Sequence, residues 1–137
     1  MTTTGAGQIA AINVADGTVN SPQNPVQKGE FISLYGTGVG FVPNAPPDGF
    51  SASGQPAAEL PQVLIGSTAA GTASYVPVEN IQFSGLAPGL VGVWQINIQI
   101  PTTAPSGSSI QLSVLQASVP SIDPGSGAAA ATTIAIK

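Results

Sequence analysis

The stretch Gly85-Leu-Ala-Pro-Gly-Leu-Val-Gly-Val-Trp-Gln-Ile-Asn-Ile-Gln-Ile-Pro101 decides how the chain folds. From Trp94 it alternates strictly, with Trp94, Ile96, Ile98 and Ile100 on one side and Gln95, Asn97 and Gln99 on the other. Successive side chains of a strand point to opposite faces, so the pattern describes a strand with one apolar and one polar, uncharged face. Trp94 is the only tryptophan and brings a large apolar surface to the core. The Gln-Asn-Gln row reads either as an ordinary solvated face or as a contact surface, because amides can pair with another chain without shedding an ionic hydration shell.

Working outward, Gln8-Ile-Ala-Ala-Ile-Asn13 reads as a first strand with a turn at Asp16-Gly17, and residues 18–28 as a loop in which Pro22 and Pro25 block a regular ladder. Glu30 to Tyr35 is a second strand, with Ile32 and Leu34 on one face and Phe31 and Tyr35 on the other. Residues 41–61 hold Pro43, Pro46, Pro47, Pro56 and Pro61 and no periodic pattern. So long a segment is either a proline-stiffened crossing between sheets or a binding loop. Further strands are expected at Gln62 to Ile65, Ala73 to Val78, Asn80 to Ser84 and Ser109 to Gln116, the last with Ile110, Leu112 and Val114 inward, and a closing strand at Thr132 to Ile136. Pro77 marks an edge or bulge. Residues 120–127 read as a loop, and Ala128 to Ala131 as a helical turn too short to hold alone.

No segment has helical period. Seven or eight short strands separated by Gly/Pro turns predict an all-β fold, an immunoglobulin-like sandwich of antiparallel strands in a single domain covering residues 1–137. Residues 1–13 are a candidate exchanged or donor strand, able to add to the sheet edge of a neighbouring copy.

Composition narrows the function. Hydrophobic residues make up 42% of the 137, which argues against disorder, while charged residues make up only 6%, far below the roughly 25% of ordinary soluble domains. Two lysines, Lys28 and Lys137, no arginine and a net charge of −4 cannot build a phosphate-neutralising patch, so nucleic acid is not an expected partner. No apolar run is long enough for membrane insertion. A surface so poor in charge has little repulsion to keep copies apart, and the expected partner is another copy of the chain. Candidate assembly contacts are Ile9, Ile12, Gln95, Asn97 and Gln99.

Without His or Cys, the usual zinc sites, thiolate nucleophiles and Ser-His-Asp triads cannot be assembled from this chain. Gly49-Phe-Ser-Ala-Ser-Gly54 lacks the spacing of a nucleophile elbow, and Gly36-Thr-Gly-Val-Gly40 lacks the lysine and helix of a phosphate loop. The carboxylates Asp16, Glu30, Asp48, Glu59, Glu79 and Asp123 are scattered, in no pattern that pairs two across a cleft or clusters them for calcium. The expectation is a chain with no catalytic residues, cofactor or metal. Lys28 lies in a Gln-Lys-Gly turn, an exposed setting ill suited to an internal amide cross-link.

Three segments together carry a resemblance: Gln8 to Asn13 with Asp16-Gly-Thr-Val-Asn-Ser-Pro22, then Gly29 through Ile-Ser-Leu-Tyr-Gly-Thr-Gly38, then Ala87-Pro-Gly-Leu-Val-Gly-Val-Trp-Gln-Ile-Asn-Ile-Gln-Ile-Pro101. In these the chain resembles an uncharacterised C-terminal domain of large exported proteins from Solibacter and related acidobacteria. More distantly, Gly29 to Gly38 is similar to the opening of the IPT or TIG immunoglobulin-like domains. The resemblance implies an extracellular or cell-surface, non-catalytic sandwich and carries no active-site residues. Residues 41–61 and 69–78 depart from the pattern.

The residues 1–7 have neither a basic nor an apolar signal region, so no signal peptide is expected within this chain. The expected function is a structural, self-associating module: a filament or surface-layer subunit, or a spacer domain. The alternative is an adhesion module that binds glycans or proteins through the 41–61 loop, with Phe41, Phe50 and Tyr75 as stacking residues. A hydrolase would need paired carboxylates in a groove.

Overall fold

The computed structural model describes residues 6–121 and 132–137. The expected 120–127 loop past Ser121, the Ala128 to Ala131 turn, Asp123 and residues 1–5 of the candidate donor strand lie outside the described residues.

Among the described residues ten strands form two sheets. The first has the order β2 (Ala10–Asn13), β3 (Phe31–Gly36), β7 (Trp94–Gln99), β6 (Ile81–Leu86), all neighbours antiparallel. The second has the order β1 (Gly7–Gln8), β10 (Thr132–Ile136), β8 (Gly107–Gln116), β4 (Gln62–Ile65), β5 (Ser74–Tyr75), and β9 (Val119–Pro120) folds back on β8. Apart from the parallel β1–β10 pair, this is the immunoglobulin arrangement: four strands A-B-E-D in one layer and C-F-G in the other, wound as Greek keys.

The alternation that defines β7 does what it predicts. Ile96 and Ile98 pair with Leu34 and Ile32 of β3, and all four point inward. They meet Val63 and Ile65 of β4, Leu112 and Val114 of β8, and Ile134 of β10 from the opposite layer. Fully burying one such aliphatic side chain contributes about 1.5–3 kcal/mol. This aliphatic layer joins β3 to β8, the place where immunoglobulin domains of antibodies carry a disulfide. Trp94 closes one end of the core, its Nε1–H donating to Ser84 Oγ at 2.8 Å, so the indole is buried without an orphaned donor.

The strand count exceeds expectation for local reasons. The predicted first strand is two strands: Gly7–Gln8 runs parallel to β10, then the chain changes layer at Ile9 and Ala10–Asn13 runs against β3. The predicted 73–78 strand shrinks to Ser74–Tyr75, because Pro77 has no N–H for the ladder and the chain enters a 3-10 turn at Val78–Asn80. β9 arises because Ala117 and Ser118, at φ 48° and 66°, make a tight reversal after β8.

Residues 41–61 cross from β3 in one layer to β4 in the other. On the way the chain bridges β6: the Ala57 N–H donates to the Ser84 carbonyl and the Leu86 N–H to the Gln55 carbonyl. The segment covers what is otherwise an open sheet edge. The β2 edge is covered likewise by residues 18–20, through the bond from Asn13 N–H to the Thr18 carbonyl and from Asn20 N–H to the Ala11 carbonyl.

Candidate assembly face

The outer face of the four-stranded sheet is set by the same alternation that builds the core. Cross-strand register places Ile12, Ser33, Asn97 and Phe83 in one row, and Ala10, Tyr35, Gln95 and Gly85 in the next. Phe31 and Gln99 pair beyond them. Three aromatic rings thus stand among three amide side chains on a surface without a charge. Phe31, Tyr35, Phe83, Gln95, Asn97 and Gln99 are each half-buried, leaning on cross-strand neighbours, and Ser33 at the centre is buried.

Of the five candidate contacts, Ile12, Gln95, Asn97 and Gln99 share this face. Ile9 sits at the layer change and packs on the core. The amide row is partly committed within the chain: Gln95 Nε2 donates to Asn97 Oδ1 at 2.9 Å, and Gln99 Nε2 donates to the Gly29 carbonyl at 2.8 Å. The Oε1 atoms of both glutamines still have acceptor capacity, and amides of this kind can pair across an interface at modest desolvation cost.

Charge is placed elsewhere. None of these strands contains an Asp, Glu, Lys or Arg; among the described residues Asp16, Lys28, Glu30, Asp48, Glu59, Glu79 and Lys137 all lie in turns or bends, in the 3-10 turn or just past a strand end. The outer face of the other sheet, with Gln62, Leu64, Tyr75, Gln111, Ser113 and Thr133, is equally neutral. Asp16 accepts from the Thr18 N–H at 3.0 Å and from the Thr18 hydroxyl at 2.7 Å, and these bonds hold its carboxyl below the ordinary carboxylate range. Glu30 caps a turn by accepting the Gln27 N–H. Lys28 is exposed on its turn. Among the described residues no three His, Cys, Asp or Glu side chains come together as a metal site, and no helix is long and apolar enough to cross a membrane.

Sequence reasoning missed a buried amide network. Asn13 is 4% exposed and Asn20 fully buried, and Asn20 Nδ2 donates to Asn13 Oδ1 at 3.0 Å. Asn13 Nδ2 in turn donates to the Asn24 carbonyl at 2.8 Å, and Gln8 Nε2 to Asn20 Oδ1 at 2.9 Å. The available signal was position: Ala11 and Asn13 share the inward face of β2, and a polar residue there needs a partner.

No family model, curated protein or solved structure matches this chain.

Proposed function

We propose that this protein is a non-catalytic structural module of the cell exterior that associates with copies of itself through the broad faces of the sandwich. The observation that carries the reading is the separation of charge from strand: every Asp, Glu and Lys among the described residues lies in a turn or bend or just past a strand end, leaving two sheet faces without a charged side chain. Bringing such faces together desolvates amides, hydroxyls and rings but no ion, and like charges do not oppose one another across the contact.

Face packing also suits the edges. Residues 18–20 and 55–57 cover the β2 and β6 edges, and β1 and β5, at the borders of the other sheet, are two residues long. The face bearing Phe31, Tyr35 and Phe83 has the aromatic enrichment and lack of charge typical of interface centres. The extracellular setting rests on the resemblance to exported acidobacterial domains.

The test is the pair Gln95→Lys with Asn97→Lys, which sets positive charges at the middle of that face on every copy. The wild-type chain should form concentration-dependent oligomers or filaments by sedimentation velocity and electron microscopy. The double variant should remain monomeric while keeping the strand signature of the folded chain in circular dichroism. A wild-type chain that is monomeric at high concentration, or a double variant that assembles as before, would sink the reading.

A further inference from the structure

At the β5 border of the second sheet an open strand edge adjoins an apolar recess. The register fixes which backbone groups of β5 face outward. The Val76 N–H donates to the Val63 carbonyl at 2.8 Å, so Val63 and Val76 are a hydrogen-bonded pair, and the pair before them, Leu64 and Tyr75, is not. The β8 side agrees. The Gly66 N–H donates to the Gln111 carbonyl at 2.8 Å, and two residues back Leu64, paired with Ser113, turns its own backbone groups toward β8. The N–H and C=O of Tyr75 therefore point away from β4, out of the sheet border.

Beside these groups Leu60, Pro61, Tyr75, Val76, Val78 and Ile81 line a recess of about 380 Å³. It is open to solvent: Leu60 is 51%, Tyr75 56% and Val78 63% exposed, while Val76 and Ile81 belong to the core. Residues 60–78 carry no charge, and an exposed carboxylate stands at each end of them, Glu59 before Leu60 and Glu79 after Val78. Each is one residue step, about 3.8 Å between Cα atoms, from a lining residue, well within the roughly 8 Å over which salt leaves a charge effective. The border therefore offers one unpaired peptide group, an apolar recess and two flanking negative charges.

We propose that the β5 edge binds a short extended segment of another protein, one in which apolar side chains are flanked by lysine or arginine. The segment accepts the Tyr75 N–H, donates to the Tyr75 carbonyl, and sets an apolar side chain in the recess, while its bases meet Glu59 and Glu79. Strand addition of this kind draws affinity from main-chain bonds and selectivity from side-chain pockets. Here the main-chain share is small. Pro77 has no N–H, and its carbonyl already accepts the Asn80 N–H at 2.9 Å, so the pairing ends at Tyr75 and the recess and the charges must supply the rest. An acidic segment is repelled by both carboxylates. A second copy of the chain is a poor match, because its own β5 edge lies in the uncharged 60–78 stretch and brings no base. The border belongs to the other sheet from Gln95 and Asn97, and its use does not depend on self-association.

The experiment is amide-resolved NMR of the dilute 137-residue chain titrated with three capped peptides: acetyl-KTVTVTK-amide, acetyl-ETVTVTE-amide, and the lysine peptide N-methylated at its five central residues. The lysine peptide should shift the amides of Leu60, Ser74, Tyr75 and Val78, and at saturation slow exchange of the Tyr75 N–H with water by about tenfold or more. The glutamate and methylated peptides should each bind about tenfold more weakly. Glu59→Lys with Glu79→Lys should turn the preference toward the glutamate peptide; both side chains are exposed, so the variant should keep the strand signature in circular dichroism. The proposal fails if the lysine peptide shifts none of these amides or shifts others instead, if the methylated or the glutamate peptide binds as well, or if the folded charge-reversed variant keeps the wild-type preference. It also fails if the Tyr75 N–H becomes protected when the chain alone is concentrated, which would give the edge to a second copy.

Discussion

The carboxamide of Asn20 stands in for a strand beside Ala135. Its Nδ2 donates to the Ala135 carbonyl at 2.9 Å and its Oδ1 accepts the Ala135 N–H at 2.9 Å, the two bonds a neighbouring peptide group would make. β1 pairs with β10 at Thr132 and Thr133, and Val26 pairs with it at Ile136. Asn20 fills the gap between them and joins both layers through Asn13 and Gln8.

Replacing Asn20 should therefore cost far more than a loop residue suggests. In Asn20→Ala the Ala135 N–H loses its partner, as do Gln8 Nε2 and Asn13 Oδ1, and each buried orphan costs about 1–3 kcal/mol. Urea unfolding should give a loss of roughly 2–4 kcal/mol, since some groups regain water. Asn20→Asp should be pH-dependent. The carboxylate would face the Ala135 carbonyl and Asn13 Oδ1, both acceptors, so its folded pKa is raised and stability falls as pH rises through it. A loss below about 1 kcal/mol for Asn20→Ala would mean the network is dispensable.

Asp16 gives the opposite sign. Bonds from the Thr18 N–H and hydroxyl favour its charged form, so its folded pKa lies below the unfolded value. Its contribution is present above the unfolded pKa and is lost as pH falls through the folded one. Carbon-detected NMR should find Asp16 titrating below the ordinary aspartate range, and Asp16→Asn should remove part of the acid-side slope of the stability curve. An Asp16 carboxyl that titrates within the ordinary range would refute the assignment.

Gly85 holds the 55–57 segment on the β6 edge. A Cβ at this position would overlap the Gln55 carbonyl oxygen and come 2.7 Å from Pro56 Cα, both backbone atoms that cannot swing aside. Gly85→Ala should peel the segment from β6, lower stability by about 1–3 kcal/mol, and expose the Ser84 carbonyl and Leu86 N–H. The freed edge should make the variant aggregate at concentrations where the parent stays dispersed, read by light scattering. An unaltered scattering profile would show that the edge is protected by something other than this crossing.

How much of this was legible follows from the range of each interaction. Trp94 to Ile100, Ile32 with Leu34, and Leu112 with Val114 declare their inward faces by period two, and the two-layer fold follows. The change of layer at Ile9 left no trace, because Ile9, Ala11 and Asn13 alternate as evenly across two short strands as along one. Asn20 lies in a stretch correctly read as loop, but its role depends on a residue 115 positions away, which no local pattern encodes. The face of Gln95, Asn97 and Gln99 was visible as a row on one strand. Its aromatic neighbour Phe83 could not be placed beside it, because a register shift between Ile81 and Phe83 sets that pairing. The bond from Gln116 Nε2 to the Glu59 carbonyl was hidden for the same reason, since it joins positions 57 residues apart.

The β8–β9 reversal yields the one change expected to stabilise. Ala117 at φ 48° and Ser118 at φ 66° both occupy the left-handed region, the requirement of a two-residue hairpin turn whose hand matches strand twist. Asn followed by Gly meets that requirement with least strain, whereas an alanine there pays the cost of crowding its Cβ. Ala117→Asn with Ser118→Gly should raise stability by about 1 kcal/mol in urea unfolding, with the m-value unchanged because the same surface is buried. A destabilised double variant would show that the observed turn is held by contacts of the Ala117 and Ser118 side chains rather than tolerated in spite of them.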